Sequence, residues 1–436
     1  MLFRSIERID VHGQPAVDCE VFVTARGPVV AGDPRSGTAL VLRHSADVEV
    51  DHSFDCLQPM MRAASVDALF EAVRGWGLVD HNLVAGDTHG HIGHHVRAKV
   101  PKRPAANGWL PVPGWLDQHA WQGFIAWEQM PRQIDPATGV IVTANNRVVA
   151  QHDHYLSTDC HPPHRARRIW QRLAELPHAT VTDMESVLTD TLSLPARDLV
   201  ARLVGLELQD PVAARLRDRV VTWDCRITAD SPLASAYVSL RLALANAVAQ
   251  RSGLAALDVS RQRTVAPGLS VVYQLSWCLP QLLRADDRGL LGGATWEEVL
   301  SEALTQVAAE PEATWGDRHH LVLRHPLGAQ FPHEPLVAPR DQGPVSGDNE
   351  TVLTTGCIPH VAGTHPAYAS LARYVFDVGN WEASRWVVFH GSAGDPREPH
   401  YDSQSTLWRQ GATVPMHYDW AAVREAALAH TLFQPA

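Results

Sequence analysis

Five side chains able to bind a metal or move a proton fall within GDTHGHIGHH: Asp87, His89, His91, His94 and His95. Imidazoles beside a carboxylate suit zinc or another transition metal, and alternation would set His89 and His91 on one face of a strand. The same residues also read as a polar hairpin with a solvated tip, because neither an H-E-x-x-H helix nor a cysteine partner accompanies them. Asn145 and Asn146 offer neutral amide donors of the kind that stabilises a developing oxyanion, although Asn-Asn also ends strands in turns. Arg165, Arg167 and Arg168 open a helix, where their charge opposes the helix dipole, so at least one should have a carboxylate partner. Nucleophile motifs are weak: there is no G-x-S-x-G elbow and no G-K-[ST]. Gly391-Ser392 and Gly356-Cys357 are bonds whose cleavage would expose an N-terminal nucleophile, but only on a short tail. His400, Tyr401 and Asp402 read as a packed turn.

The elements that must carry these residues change character along the chain. Val17 to Gly27 and Thr38 to Arg43 read as strands, and Ser65 caps a helix through SVDALFEAVRGW. Asn82 to Ala85 and His91 to Val96 flank Asp87-Thr88-His89-Gly90 as a strand pair. Residues 101–139, rich in Pro, Trp and Gly, predict a long packed loop, followed by a strand at Val140 to Thr143. Some 170 residues of helical period follow. Their starts are marked by Thr182-Asp183-Met184-Glu185, Thr295-Trp296-Glu297-Glu298, Asp210-Pro211 and Ser231-Pro232. Beyond Pro326 strands are predicted at Thr351 to Thr355, Ala372 to Val378 and Arg385 to His390, with a last helix over Ala421 to Leu432. The implied division is 1–150 with sheet, 151–325 mainly helical, and 326–436 returning to the sheet core, a helical insertion in one core.

Composition narrows the function classes. The 436 residues are 45% hydrophobic, which allows a large core, and no stretch reaches the ~18 consecutive apolar residues of a membrane span. Met1 to Glu7 shows no signal peptide, so the chain reads as soluble, with no membrane partner expected and its compartment open. A net charge of -11, with basic residues scattered, makes nucleic acid a poor partner. Six cysteines without a C-x-x-C pair define neither a zinc ribbon nor a disulfide framework.

Taken together, several stretches resemble the penicillin acylase (penicillin amidase) family of N-terminal-nucleophile hydrolases. VFVTARGPVV (Val21 to Val30) looks like its T-x-H-G-P strand, with Ala25-Arg26 in place of the usual pair. AGDTHGHIGHHVRAKVPKR (Ala85 to Arg103) is similar to its A-D-x-x-G-x-I-G hairpin and P-x-R end. LPVPGW, Trp121-Gln122-Gly123, DPATGVIVTANN (Asp135 to Asn146), HRARRI (His164 to Ile169), VTWD, TWGDRH and GDNETV (Gly347 to Val352) follow in family order. GSAGDPREPHYDSQSTLW (Gly391 to Trp408) resembles its ending.

The resemblance implies an α/β (α+β) fold: an incomplete αββα sandwich with an inserted helical subdomain. It implies that Asn145 is the oxyanion-hole asparagine, that Arg165 is an arginine near the substrate, and that Asp153 is a remnant of a calcium site. No cofactor is expected beyond that structural calcium in a complete enzyme. The family's nucleophile is a serine at the start of the large subunit whose own α-amine is the base. It lies well upstream of the strand matching Val21 to Val30, and Ser5 does not correspond to it, so the nucleophile is expected outside this sequence. The implied activity is hydrolysis of a linear amide, such as an N-acyl or β-lactam side chain, on a small-molecule substrate. A separate chain would bring the N-terminal part, and the isolated chain would be inactive. The alternative is a non-catalytic remnant or partner-binding subunit. Family members are commonly periplasmic or secreted.

Overall fold

The computed structural model describes residues 2–257, 270–358 and 363–434, and the chain divides into two compact units, residues 1–161 and 162–436. Helices and antiparallel sheets mix in it, an α+β composition.

In the first unit, β1 (Leu2–Ile9), β2 (Val17–Thr24), β3 (Gly27–Gly32) and β4 (Ala39–Val41) pair antiparallel in that order. β1 and β2 run in register from Leu2 opposite Thr24 to Ile9 opposite Val17. The sharp turn between β2 and β3 requires glycine: Gly27 has φ 129°, and a Cβ there would lie 2.0 Å from the Leu42 carbonyl oxygen. β1 has no counterpart among the predicted strands, and every one of its residues is exposed.

A short helix α1 (Leu57–Arg62) precedes α2 (Val66–Ala72), which begins where Ser65 accepts a hydrogen bond from the Ala68 N–H, as its cap-type residue implies. Its Val66 and Phe70 cover a second sheet of β5 (His81–Gly86), β6 (Ile92–Arg97) and β7 (Arg132–Ile134). β7 falls inside the stretch predicted as loop. Val140 to Thr143, predicted as a strand, pairs with no other strand among the described residues and carries no ladder.

The second unit is organised around helices. Those starting at Asp210-Pro211, Ser231-Pro232 and Thr295 are α6 (Pro211–Val221), α7 (Pro232–Arg251) and α9 (Trp296–Ala308). They come after α3 (His164–Ala174), α4 (Val181–Leu188) and α5 (Leu194–Leu203), with α8 (Val271–Ala285) between α7 and α9. The capping box of α4 sits two residues before the one predicted. Thr180 and Asp183 reciprocate, because Asp183 rather than Glu185 is placed to return to the cap N–H.

Length and composition would let α7 cross a bilayer, yet Tyr237, Leu240, Leu244 and Val248 are buried in the helical core with Trp296, Leu300 and Leu304. Each such side chain contributes about 1.5–3 kcal/mol by leaving water.

After α10 (Trp315–Arg318), the chain returns to small antiparallel sheets. β8 (His320–Leu323) pairs with β9 (Arg340–Pro344), and β10 (Thr355–Cys357) with β11 (Pro366–Ala369). β12 (Ala372–Val375), β13 (Arg385–Val388) and β14 (Val414–Pro415) form the last. Leu321, Leu323, Val345, Val387 and Trp408 close a second core there. The strand predicted from Thr351 is shorter and later. The Asp348 carboxylate accepts from the Glu350 and Thr351 N–H groups, which bends this backbone before pairing resumes at Thr355. The last helix covers only Trp420–Glu425, started by Asp419.

Candidate functional site

Asn145 follows a segment without regular structure and adopts φ 62°, the left-handed region that asparagine tolerates better than most residues. Two contacts hold this turn. The Asn146 Oδ1 accepts from the Ala144 N–H at 3.0 Å, and the Asn145 carbonyl accepts from the His161 N–H at 2.9 Å. The Asn145 side chain is exposed on its unit. A neutral amide carried on a turn whose backbone is pinned can donate to an oxygen that gains charge without itself changing protonation.

Arg165 is the second residue of α3 and half-buried. Burial lowers its pKa, while the charges of Glu350 and Tyr368 work the other way. Of its neighbours, Arg168 is the structural member, in a buried pair with Asp190. That satisfies the carboxylate partner that three arginines at a helix start demand.

The histidine cluster does not assemble into a metal site. Asp87 spends its carboxylate on the Val66, His89 and His91 N–H groups; burial works against ionisation, but these bonds win and hold its pKa below the usual range. His91 reaches Asp135 at 2.7 Å, His94 bonds Asn82 at 2.9 Å, and His95 stacks on Trp127 at 3.8 Å between centroids. Among the described residues no group of three or more His, Cys, Asp or Glu side chains is placed to hold a metal. Asp153 is exposed, so a calcium there would need oxygen ligands beyond the acidic side chains described.

The thiol of Cys357 is buried and its pKa is pushed up to about 11, which removes it as a nucleophile. Asp402 pairs with Arg340 at 3.1 Å and Tyr401 lies under that guanidinium, so the His400 to Asp402 segment is a packed turn.

A buried polar cluster escaped attention as chemistry, although its motif GDNETV was visible. Asp348, 0% exposed, pairs with Arg241 of α7 at 3.1 Å. Asn349 donates to the Cys357 carbonyl and to the Tyr368 hydroxyl, both at 3.0 Å. Gly347 makes the bend possible, with φ 92° and the Leu353 carbonyl oxygen 2.0 Å from where a Cβ would stand. The Gly-Asp pair and the Thr two residues beyond Asn349 were the turn signal.

The family model for penicillin amidase matches residues 3–425. The chain belongs to the penicillin amidase family. Within that family it is 48% identical over 433 residues to the penicillin acylase 2 proenzyme of Pseudomonas sp. (strain SE83), covering 99% of this chain and 56% of that protein. It is 24% identical over 419 residues to the acyl-homoserine lactone acylase QuiP of Pseudomonas aeruginosa, covering 87% of this chain and 49% of that protein. The chain thus spans about half the length of the curated relatives it matches. Its fold is that of the thermostable penicillin G acylase from Alcaligenes faecalis. The TM-score is 0.68 at 19% identity, covering 100% of this chain and 82% of that one.

Proposed function

We propose that this chain is the later portion of an amide hydrolase of the penicillin acylase kind, working with a segment outside this sequence that bears the nucleophilic serine. The observation that carries the reading is the 48% identity, over 99% of this chain, to a protein named as a penicillin acylase proenzyme. A proenzyme is processed, which suits a site assembled from more than one polypeptide.

In this reading Asn145 donates its side-chain amide to the oxyanion formed when the serine attacks the scissile carbonyl. The carbonyl carbon gains a bond to the serine oxygen, and the C–N bond then breaks to free the amine. Water next attacks the acyl-serine ester, the carboxylic acid leaves, and the serine is restored. Arg165 contributes a fixed positive charge to the binding of substrate. A calcium, with Asp153 as one oxygen ligand, would serve structure and take no part in these steps.

The surface of β1 supports a partner. Leu2, Phe3, Ile6 and Ile9 are 47%, 65%, 58% and 52% exposed, and they alternate onto both faces of the strand. A strand apolar on both faces and, among the described residues, unpaired along one edge favours burial against further structure.

A sulfonyl fluoride that sulfonylates reactive serines, with loss of fluoride, tests the assignment. With the nucleophile-bearing segment present, mass spectrometry should find the label on that segment's N-terminal serine. Stoichiometric labelling of a serine in this chain would overturn the reading. A remnant with no catalytic role would leave both polypeptides unlabelled.

A further inference from the structure

A cavity of about 240 Å³ lies between α6, α7 and the end of α9, and every residue that lines it belongs to the second unit. Much of its wall is apolar: Leu216 on α6, Leu233 and Ala236 on α7, and Val307 on α9. Three of the α7 residues that reach it, Ser235, Ala236 and Ser239, are small, so space stays open where larger side chains would interdigitate with α6. Val212 and Arg215 of α6 also line the cavity and are exposed, which opens it to solvent.

Three arginines and two glutamates stand around this space. Arg219 donates twice to Glu312, both at 2.9 Å. Arg318 donates to Glu310 at 2.9 Å, and the same carboxylate oxygen accepts from the Ser239 hydroxyl at 3.0 Å. Both glutamates are thereby paired. The guanidinium of Arg215 makes no ion pair or hydrogen bond among the described residues, so the lining carries one positive charge in excess.

An exposed arginine alone is merely solvated, but a second group points the same way. Ser235 is only 3% exposed, lines the cavity, and makes no hydrogen bond through its hydroxyl among the described residues. Buried hydroxyls are ordinarily hydrogen-bonded, so the partner of this one comes from what enters the cavity.

We propose that this cavity binds a small carboxylic acid that carries an oxygen on an apolar body. Its carboxylate meets Arg215 at the mouth, where the planar guanidinium can donate two parallel hydrogen bonds. Its body displaces water from Leu216, Leu233 and Val307, and the Ser235 hydroxyl donates to its oxygen. An inorganic anion would leave the apolar walls wet, and a cation is opposed by the excess charge. Because a cavity of roughly 150 Å³ holds benzene, one of about 240 Å³ takes an acid of about six carbons. This chain supplies the whole site, which therefore stands whether or not the amide-hydrolase reading does.

Calorimetric titration of the chain with 5-oxohexanoate tests this. Saturable binding of one equivalent is expected. The ketone 2-hexanone keeps the body and the carbonyl without the charge, and should bind at least about tenfold more weakly. Arg215→Gln should weaken 5-oxohexanoate about tenfold and leave 2-hexanone within about twofold. Wild type should prefer 5-oxohexanoate to hexanoate by about threefold, a preference that Ser235→Ala should erase. Ala236→Leu, which fills the cavity from α7, should abolish binding; if that variant fails to fold, the change at the exposed Arg215 still decides. The proposal is overturned if millimolar 5-oxohexanoate shows no saturable binding, if 2-hexanone binds as tightly, or if Arg215→Gln binds as wild type does.

Discussion

Arg168 grips Asp190 with two hydrogen bonds, Nε to Oδ1 at 3.1 Å and Nη2 to Oδ2 at 2.7 Å, and both side chains are buried. The same carboxylate accepts from the Leu192 N–H, and the Asp190 carbonyl accepts from the Leu353 N–H. One pair thus ties α3, which carries Arg165, to the connection before α5 and to the segment after GDNETV. Burial alone would raise the pKa of Asp190, but the bonds from Arg168 and the Leu192 N–H outweigh it and hold it low.

Removing one half of this pair strands the other charge in the interior. Asp190→Asn or Arg168→Met is expected to cost about 3–5 kcal/mol in urea unfolding, whereas replacing both with apolar residues of similar volume should cost far less. Equal losses for the single and double changes would show that the pair has no such role.

Two buried histidines set an acid limit on stability. His319 is fully enclosed, stacked on Trp315 and hydrogen-bonded to Thr355, and His164 is 5% exposed; burial pushes both down to about 4. Unfolded, each titrates near 6.5, so between those values the unfolded state binds more protons. Stability should be full above about pH 6.5 and fall as pH drops toward 4, by on the order of 3 kcal/mol per histidine. Denaturant midpoints at pH 7 and pH 5 measure it, and His319→Gln should about halve the difference, leaving the share of His164.

The left-handed backbone of Asn145 allows its two roles to be separated. In the assembled enzyme, Asn145→Gly keeps the conformation but loses the amide. It should lower kcat by roughly 10²–10³ with little change in KM. The same variant should unfold no more easily than wild type, because glycine adopts this φ without strain. A kcat near wild type would remove Asn145 from the oxyanion site.

The exposed strand β1 predicts a contact. Ile6→Asp should leave the circular dichroism of the chain unchanged, since Ile6 is 58% exposed, and should weaken capture of the nucleophile-bearing segment at least tenfold in a pull-down. Undiminished capture would place the contact elsewhere.

Much of this was legible in the residues because the signals were local. Ser65, Asp210-Pro211, Ser231-Pro232 and Thr295 start helices through contacts within four residues, and each does so in the structure. The hairpin around Asp87 to Gly90 closes for the same reason. What failed depended on distant partners. β1 alternates apolar residues onto both faces and pairs with β2 across an intervening turn, a pattern that carries no one-sided period to recognise. Val140 to Thr143 has strand composition but lacks a neighbour to pair with. Asp348 stood in plain view within GDNETV, but its buried partner Arg241 lies 107 residues away in the sequence.

The rate of chromogenic acyl anilide hydrolysis tests the central claim most directly, measured on this chain alone and after assembly with the nucleophile-bearing segment. The expected result is no release by the chain alone, release on assembly, and loss of that release with Asn145→Gly. Turnover by the purified chain alone, or none from a folded assembly, would contradict the account.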